Sequence, residues 1–185
     1  MKKQSGILYI LRLSLTLLVI TSVVAALLAG VNGITAPLIA AADEAKTQQA
    51  IGEVLPGGGQ PVAFTDETGL VKQVYGSDIG YAVQVAPSRF DGEITMMVGI
   101  DKTGKVLGIS IIAHTETAGL GAVAAADNTK GQAFRGQFIG MSGDLAVSKD
   151  GGDGDAITGA TITSRAVTDG INAALRCVEA MGQGG

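Results

Sequence analysis

From Leu13 to Val31 the chain reads LSLTLLVITSVVAALLAGV, without one charged side chain. Coiled as a helix, that run spans roughly 28 Å, close to the ~30 Å hydrocarbon core of a bilayer. Backbone amides in lipid must be satisfied internally, so a lone apolar segment of this length predicts a transmembrane helix. A soluble buried helix of the same length normally keeps a polar stripe, and none is present. The segment PLIAAADE offers the small residues of a signal-peptidase site near Ala40–Ala42. The apolar run nevertheless exceeds the ~7–15 residues of a signal core, which favours a retained anchor. In both cases the rest of the chain is exported.

Beyond the anchor the pattern shortens and begins to alternate. AADEAKTQQAIGEVL (Ala41–Leu55) predicts a short helix, stopped by PGGG at Pro56–Gly59. Four strands are predicted at Leu70–Tyr75, Tyr81–Ala86, Glu93–Ile100 and Lys105–Ile112. The last two flank DKTG, a turn suited to a hairpin. Strand alternation puts Ile94, Met96, Val98 and Ile100 on one face, with Leu107, Ile109 and Ile111 opposite them. AHTETAGLGAVAAAD then predicts a loop entering a short helix, and KGQAFRGQF a further helical turn or loop. KDGGDGD (Lys149–Asp155) is irregular. From Ser164 onward Val167, Ile171, Ala174, Leu175 and Val178 keep helical spacing. Strands followed by helices, with no repeat, indicate an α+β domain built on a small antiparallel sheet.

Charge sharpens the membrane assignment. Lys2, Lys3 and Arg12 precede the anchor, whereas all 17 acidic residues and the other 10 of the 13 basic ones follow it. The positive-inside tendency then places residues 1–12 in the cytoplasm and 13–31 across the membrane. Residues 32–59 form a juxtamembrane helix and linker, and 60–185 an extracytoplasmic domain. An acidic domain repels phosphate backbones, so nucleic acid is not an expected partner. Cys177 is the only cysteine and His114 the only histidine. Disulfide frameworks, iron–sulfur clusters and two-imidazole metal sites are thereby excluded.

The chemically distinctive stretch is DAITGATITS, Asp155–Ser164. Thr163 or Ser164 suits the N-cap of the amphipathic helix, whose first amides would face Thr161. Gly159 and Ala160 leave the backbone open to close approach. A helix start of this kind accepts a phosphate or other anion, although Thr-rich caps also occur without a ligand. A calcium loop fits poorly. Asp150, Asp153 and Asp155 miss the D-x-D-x-D-G spacing, and Ser164 stands where a bidentate Glu is needed. A serine hydrolase would lack the G-x-S-x-G turn and would have His114 as its sole base.

DAITGAT (Asp155–Thr161) resembles the flavinylation motif of FMN-binding domains in the G subunit of Rnf-type electron-transport complexes. The C subunit of the sodium-pumping quinone reductase shares that domain. The family pattern is Asp, two variable residues, Ser or Thr, then Gly, Ala, Thr, and every fixed position matches. A second stretch, MVGIDKTGKVLGISIIAHTETAGLG (Met97–Gly121), resembles the family hairpin followed by H-x-E-T-P-G-L-G, with Ala118 in place of the Pro.

The resemblance implies FMN held covalently, as a phosphoester on Thr161. Thr158, Gly159, Ala160 and Thr163 would form the attachment loop, and Glu116, Thr117, Gly119, Leu120 and Gly121 would lie against the flavin. Asp155 and His114 would support the two motifs. No residue is expected to act as a catalytic group or to ligate a metal, because the flavin supplies the redox chemistry and a flavin transferase makes the bond from FAD. The implied function is electron transfer within a ferredoxin:NAD⁺ oxidoreductase coupled to Na⁺ or H⁺ movement, with other membrane subunits and the lipid bilayer as partners. Two rival expectations remain: a free-standing exported flavoprotein, and a flavin-free anchored interaction domain.

Overall fold

The computed structural model describes residues 2–89, 92–116 and 120–183. It divides into two compact units, Met1–Ala45 and Lys46–Gly185. The helix α1 (Lys2–Val54) makes up the first unit and contributes its last turns to the second. The short helix expected over Ala41–Leu55 is therefore not a separate element. Gly33 and Pro37 read as breakers, but the run around them stays apolar and the helix accommodates Pro37.

Within the first unit the large apolar side chains from Leu8 to Ile39 are exposed. This is the one helix among the described residues long and apolar enough to cross a membrane. Three of its threonine hydroxyls bond within the helix: Thr16 donates to the Arg12 carbonyl, Thr21 to Leu17 and Thr35 to Val31, at 2.8–3.0 Å.

The second unit is built on an antiparallel sheet. Its strands are β1 (Gln60–Val62), β2 (Val71–Gly76), β3 (Gly80–Val85), β4 (Ser88–Arg89), β5 (Gly92–Asp101) and β6 (Val106–His114). The spatial order is β1-β2-β3-β5-β6, and the two-residue β4 pairs with the start of β5. β5 is central, and its run ITMMVGI is apolar on both faces because both are covered. On one face Val83, Val85, Ile94, Met96, Val98 and Ile100 pack with Phe134 of α2 (Thr129–Gly136), Phe138 in the turn after it, and Val167, Ile171 and Val178 of α3 (Thr161–Gln183). On the other face Met97 and Ala82 pack under Ala50, Ile51 and Val54 of α1 and Leu55 just after it.

The predicted β5–β6 pairing holds except at Leu107. Ile109 lies opposite Val98 and Ile111 opposite Met96, but Val106 takes the place opposite Ile100. The register shifts between Gly99 and Ile100, so Leu107 is an extra residue on β6 and turns outward. A bulge reverses the facing of whatever follows it, and alternation alone does not reveal one. The hairpin turn forms as expected. The Asp101 carboxylate accepts from the amides of Lys105 and Thr103 and from the Thr103 hydroxyl, at 2.7–2.9 Å. Those bonds, led by the one from Lys105, hold its pKa below the ordinary carboxylate value.

Val54 seats on a bed of small residues. Ala82 pairs with Gly99, and Gly99 pairs with Gly108, across three strands. A Cβ on Gly99 would run into the Val54 carbonyl oxygen, and it would lie 2.9 Å from the Val54 Cβ. Gly99→Ala should thus destabilise the full chain in detergent by about 1–3 kcal/mol, read from chemical unfolding. Unchanged stability would show that α1 does not rest there.

Cys177 is buried on α3 beside the Thr65 carbonyl, 3.6 Å away. Burial, and secondarily the Asp66 charge, push its thiol up to about 11. A raised pKa means that the folded state holds the proton more tightly. The associated stability is complete below the unfolded thiol's pKa and declines as pH rises toward about 11. Native protein should therefore resist iodoacetamide at pH 8 and react on unfolding; rapid native labelling there would contradict this placement.

Candidate functional site

The loop before α3 is fixed by its own backbone. Gln137 brackets Asp155, its Oε1 accepting from the Asp155 amide at 2.7 Å and its Nε2 donating to the Asp155 carbonyl at 3.0 Å. The Asp155 side chain itself is exposed. Farther on, the Ala160 amide donates to the Ile157 carbonyl at 2.9 Å, closing a turn in which Gly159 takes φ 79°. That left-handed conformation suits Gly, and the exposed Thr158 stands just before it.

α3 begins at Thr161, not at the expected caps Thr163 or Ser164. The Ser164 amide bonds to the Ala160 carbonyl at 3.0 Å, so Ala160 occupies the cap position. Alanine has no side-chain oxygen to cap the helix, and the N–H groups of Thr161, Ile162 and Thr163 precede the first helical bond. Thr163 serves a tertiary contact instead, and Ser164 ties the loop to the helix start. Ser164 is fully buried; its hydroxyl donates to the Ala160 carbonyl and accepts from the Ile157 amide, both at 2.9 Å. Thr163, also buried, donates to Glu116 Oε2 at 2.7 Å.

Glu116 comes from the other motif, just past β6. Gly121 opens the one-turn 3-10 helix Gly121–Ala125 that follows, and it fits between these partners only because it lacks a side chain. A Cβ there would clash with the Glu116 carboxylate and lie 2.5 Å from Thr163 Oγ1. Leu120 reaches the loop before α3: its Cδ2 would be 3.3 Å from a Cβ placed on Gly159. The fold thus joins Glu116, Leu120, Gly121, Gly159 and Thr163 around the start of α3, beside Thr161. His114 ends β6, exposed and in register with Ile94. Thr117 and Gly119 lie outside the described residues.

One participant was not anticipated. Lys149 Nζ donates to Thr161 Oγ1 at 3.0 Å. It sits in a 3-10 turn, Ser148–Asp150, within the stretch expected to be irregular. The neighbouring Asp150 accepts two bonds from Arg165, at 2.7 and 2.6 Å, and this raises the Arg165 pKa. A lone Lys in a Gly- and Asp-rich segment carries no sequence signal for this contact; only the fold brings it to Thr161.

The model of the FMN-binding domain family matches residues 90–176, which include both motifs. The G subunit of the Na⁺-translocating ferredoxin:NAD⁺ oxidoreductase complex of Acetobacterium woodii is 34% identical over 190 residues, 90% of each chain. The G subunit of the ion-translocating oxidoreductase complex of Methanosarcina acetivorans is 32% identical over 184 residues, 92% of this chain and 95% of that one. This chain belongs to the G-subunit family of Rnf-type complexes. Another relative is the G subunit of the proton-translocating ferredoxin:NAD⁺ oxidoreductase complex of Clostridium ljungdahlii, 42% identical over 104 residues, 54% of each chain.

The geometry suits the family's cofactor. A half-buried hydroxyl on the first residue of a helix, an ammonium at 3.0 Å from it and helix-start amides that Ala160 has no side-chain oxygen to cap suit a phosphate. Leu120 and Ile162, 47% and 43% exposed, offer apolar surface nearby. The joint between the two motifs can be tested alone. Thr163→Val keeps shape but removes a hydrogen bond to a carboxylate, which should cost about 1.5–3 kcal/mol. Thr163→Ser should retain most of that stability, and thermal unfolding distinguishes the two. Equal stability of the valine variant and the parent would show the bond to be dispensable.

Proposed function

We propose that the chain carries FMN as a phosphoester on Thr161 and holds it outside the cytoplasm. It is a membrane-anchored flavin electron-transfer subunit of a ferredoxin:NAD⁺ oxidoreductase complex. The other subunits of that complex are its partners, and the relatives' coupling to Na⁺ or proton translocation extends to this chain. A flavin transferase would attach the FMN from FAD, and the lipid bilayer would hold α1, with the N-terminus in the cytoplasm.

One observation carries the attachment site: Thr161 closes the D-A-I-T-G-A-T motif and opens α3 with a partly exposed hydroxyl. A phosphodiester there keeps one negative charge, which the helix dipole and Lys149 would favour. Gly159, bare of side chain, keeps the approach open. Leu120, exposed against Gly159, would give a flavin ring apolar contact. When bound, FMN supplies one- and two-electron transfer, which no side chain of this site can perform. An ester linkage also prevents loss of the cofactor to an exterior poor in flavin.

Co-expression with a flavin transferase should give a band that fluoresces in a denaturing gel. Thr161→Ala should lose the fluorescence completely. A fluorescent Thr161→Ala band would move the attachment elsewhere.

A further inference from the structure

We propose that Lys149 presents the Thr161 hydroxyl for flavinylation and then pairs with the phosphodiester formed there. The inference rests on the Thr161 attachment above and adds a positioning residue that neither motif contains. Its basis is the 3.0 Å bond from Lys149 Nζ to Thr161 Oγ1. An ammonium has only donors, so the threonine oxygen must accept. The hydroxyl hydrogen is therefore turned away from Lys149 and left available for removal.

The turn bearing Lys149 is fastened to the helix it serves. Val147 bridges to Gly154, and the Ser148 amide donates to the Gly154 carbonyl at 2.6 Å. Gly151, at φ 86°, ends the 3-10 turn. Asp150 then grips Arg165, one helical turn beyond Thr161, through both carboxylate oxygens. An isolated exposed ion pair is worth little. A two-point pair does fix direction, however, and here it directs the adjacent Lys149 toward the start of α3.

The transfer is a phosphoryl exchange without change of redox state. Thr161 Oγ attacks the FMN-side phosphorus of a flavin adenine dinucleotide. The Oγ–P bond forms, the pyrophosphate P–O bond breaks, AMP leaves, and the hydroxyl proton passes to a base of the transferase. Lys149, being protonated, is not that base. Its charge favours the oxygen as it loses its proton, and one of its three N–H donors can afterwards meet a phosphoryl oxygen.

The test uses the full chain in detergent, purified without flavin, with FAD and a purified flavin transferase. Initial rates of covalent labelling are read by intact mass and in-gel fluorescence. Lys149→Gln should slow labelling by roughly tenfold or more. Lys149→Arg, which keeps the charge on a different stem, should recover most of the rate. Because Lys149 is exposed, both variants should melt with the parent. Labelling of Lys149→Gln at the parental rate overturns the inference, and so does an arginine variant as slow as the glutamine one. If the parent protein takes up no flavin on the peptide containing Thr161, the attachment itself fails, an outcome distinct from either.

Discussion

Three hydroxyl residues crowd the first turn of α3, and burial leaves one of them for chemistry. Ser164 is fully buried, accepting from Ile157 and donating to Ala160. Thr163 is buried and committed to Glu116. Thr161 remains half-buried, its oxygen held by an exposed lysine rather than by the core. A bulky enzyme and a bulky substrate can reach only what faces solvent, and of these three hydroxyls Thr161 alone stays accessible. The same bonds that remove Thr163 and Ser164 from contention fix the helix start against both loops. Loss of that turn would scatter the selected hydroxyl, its lysine and the Leu120–Gly159 contact together.

The remainder of the domain holds that turn still. Ala166, Val167, Ile171, Ala174, Leu175 and Val178 bury the inner face of α3 against the sheet. Burying each larger side chain stabilises the fold by about 1.5–3 kcal/mol, so the helix cannot slide without losing several such contacts. Gly170 allows the closest approach, at Met96 and Pro87, where a Cβ would collide. β6, at the edge of the sheet, delivers Glu116 within reach of Thr163. Two segments 47 residues apart in sequence thus form one rigid corner. A covalently tethered flavin would inherit that rigidity at its phosphate end, which favours repeated electron transfer over a reproducible distance.

How much of this could be read from residues alone depended on whether the cause was local. The apolar runs EITMMVGI and KVLGISII around their turn located the β5–β6 hairpin, and the 3.6-residue spacing of Val167, Ile171 and Val178 located α3. Composition separated the apolar anchor from the acidic domain. The outward turn of Leu107 was not legible, because a bulge is a property of the paired strands. Nor was the continuity of α1, since Gly33 and Pro37 are breakers by propensity yet sit inside the helix. At the site, the capping expectation erred by about one helical turn. Propensity favoured Thr or Ser at the cap, but bonds to Glu116 and to the preceding loop claimed those hydroxyls and left Ala160 there. Lys149 was invisible because its partner stands across a loop whose path only the Val147–Gly154 bridge and the Asp150–Arg165 pair define.

Peptide mapping of native protein, isolated from a membrane where its complex assembles, addresses the central claim most directly. Trypsin should release Asp150–Arg165, which holds Thr158, Thr161, Thr163 and Ser164. The account predicts one FMN, less the water lost on ester formation, on that peptide, with fragmentation assigning it to Thr161. The same peptide recovered wholly unmodified, or bearing its flavin on any of the other three hydroxyls, would contradict it.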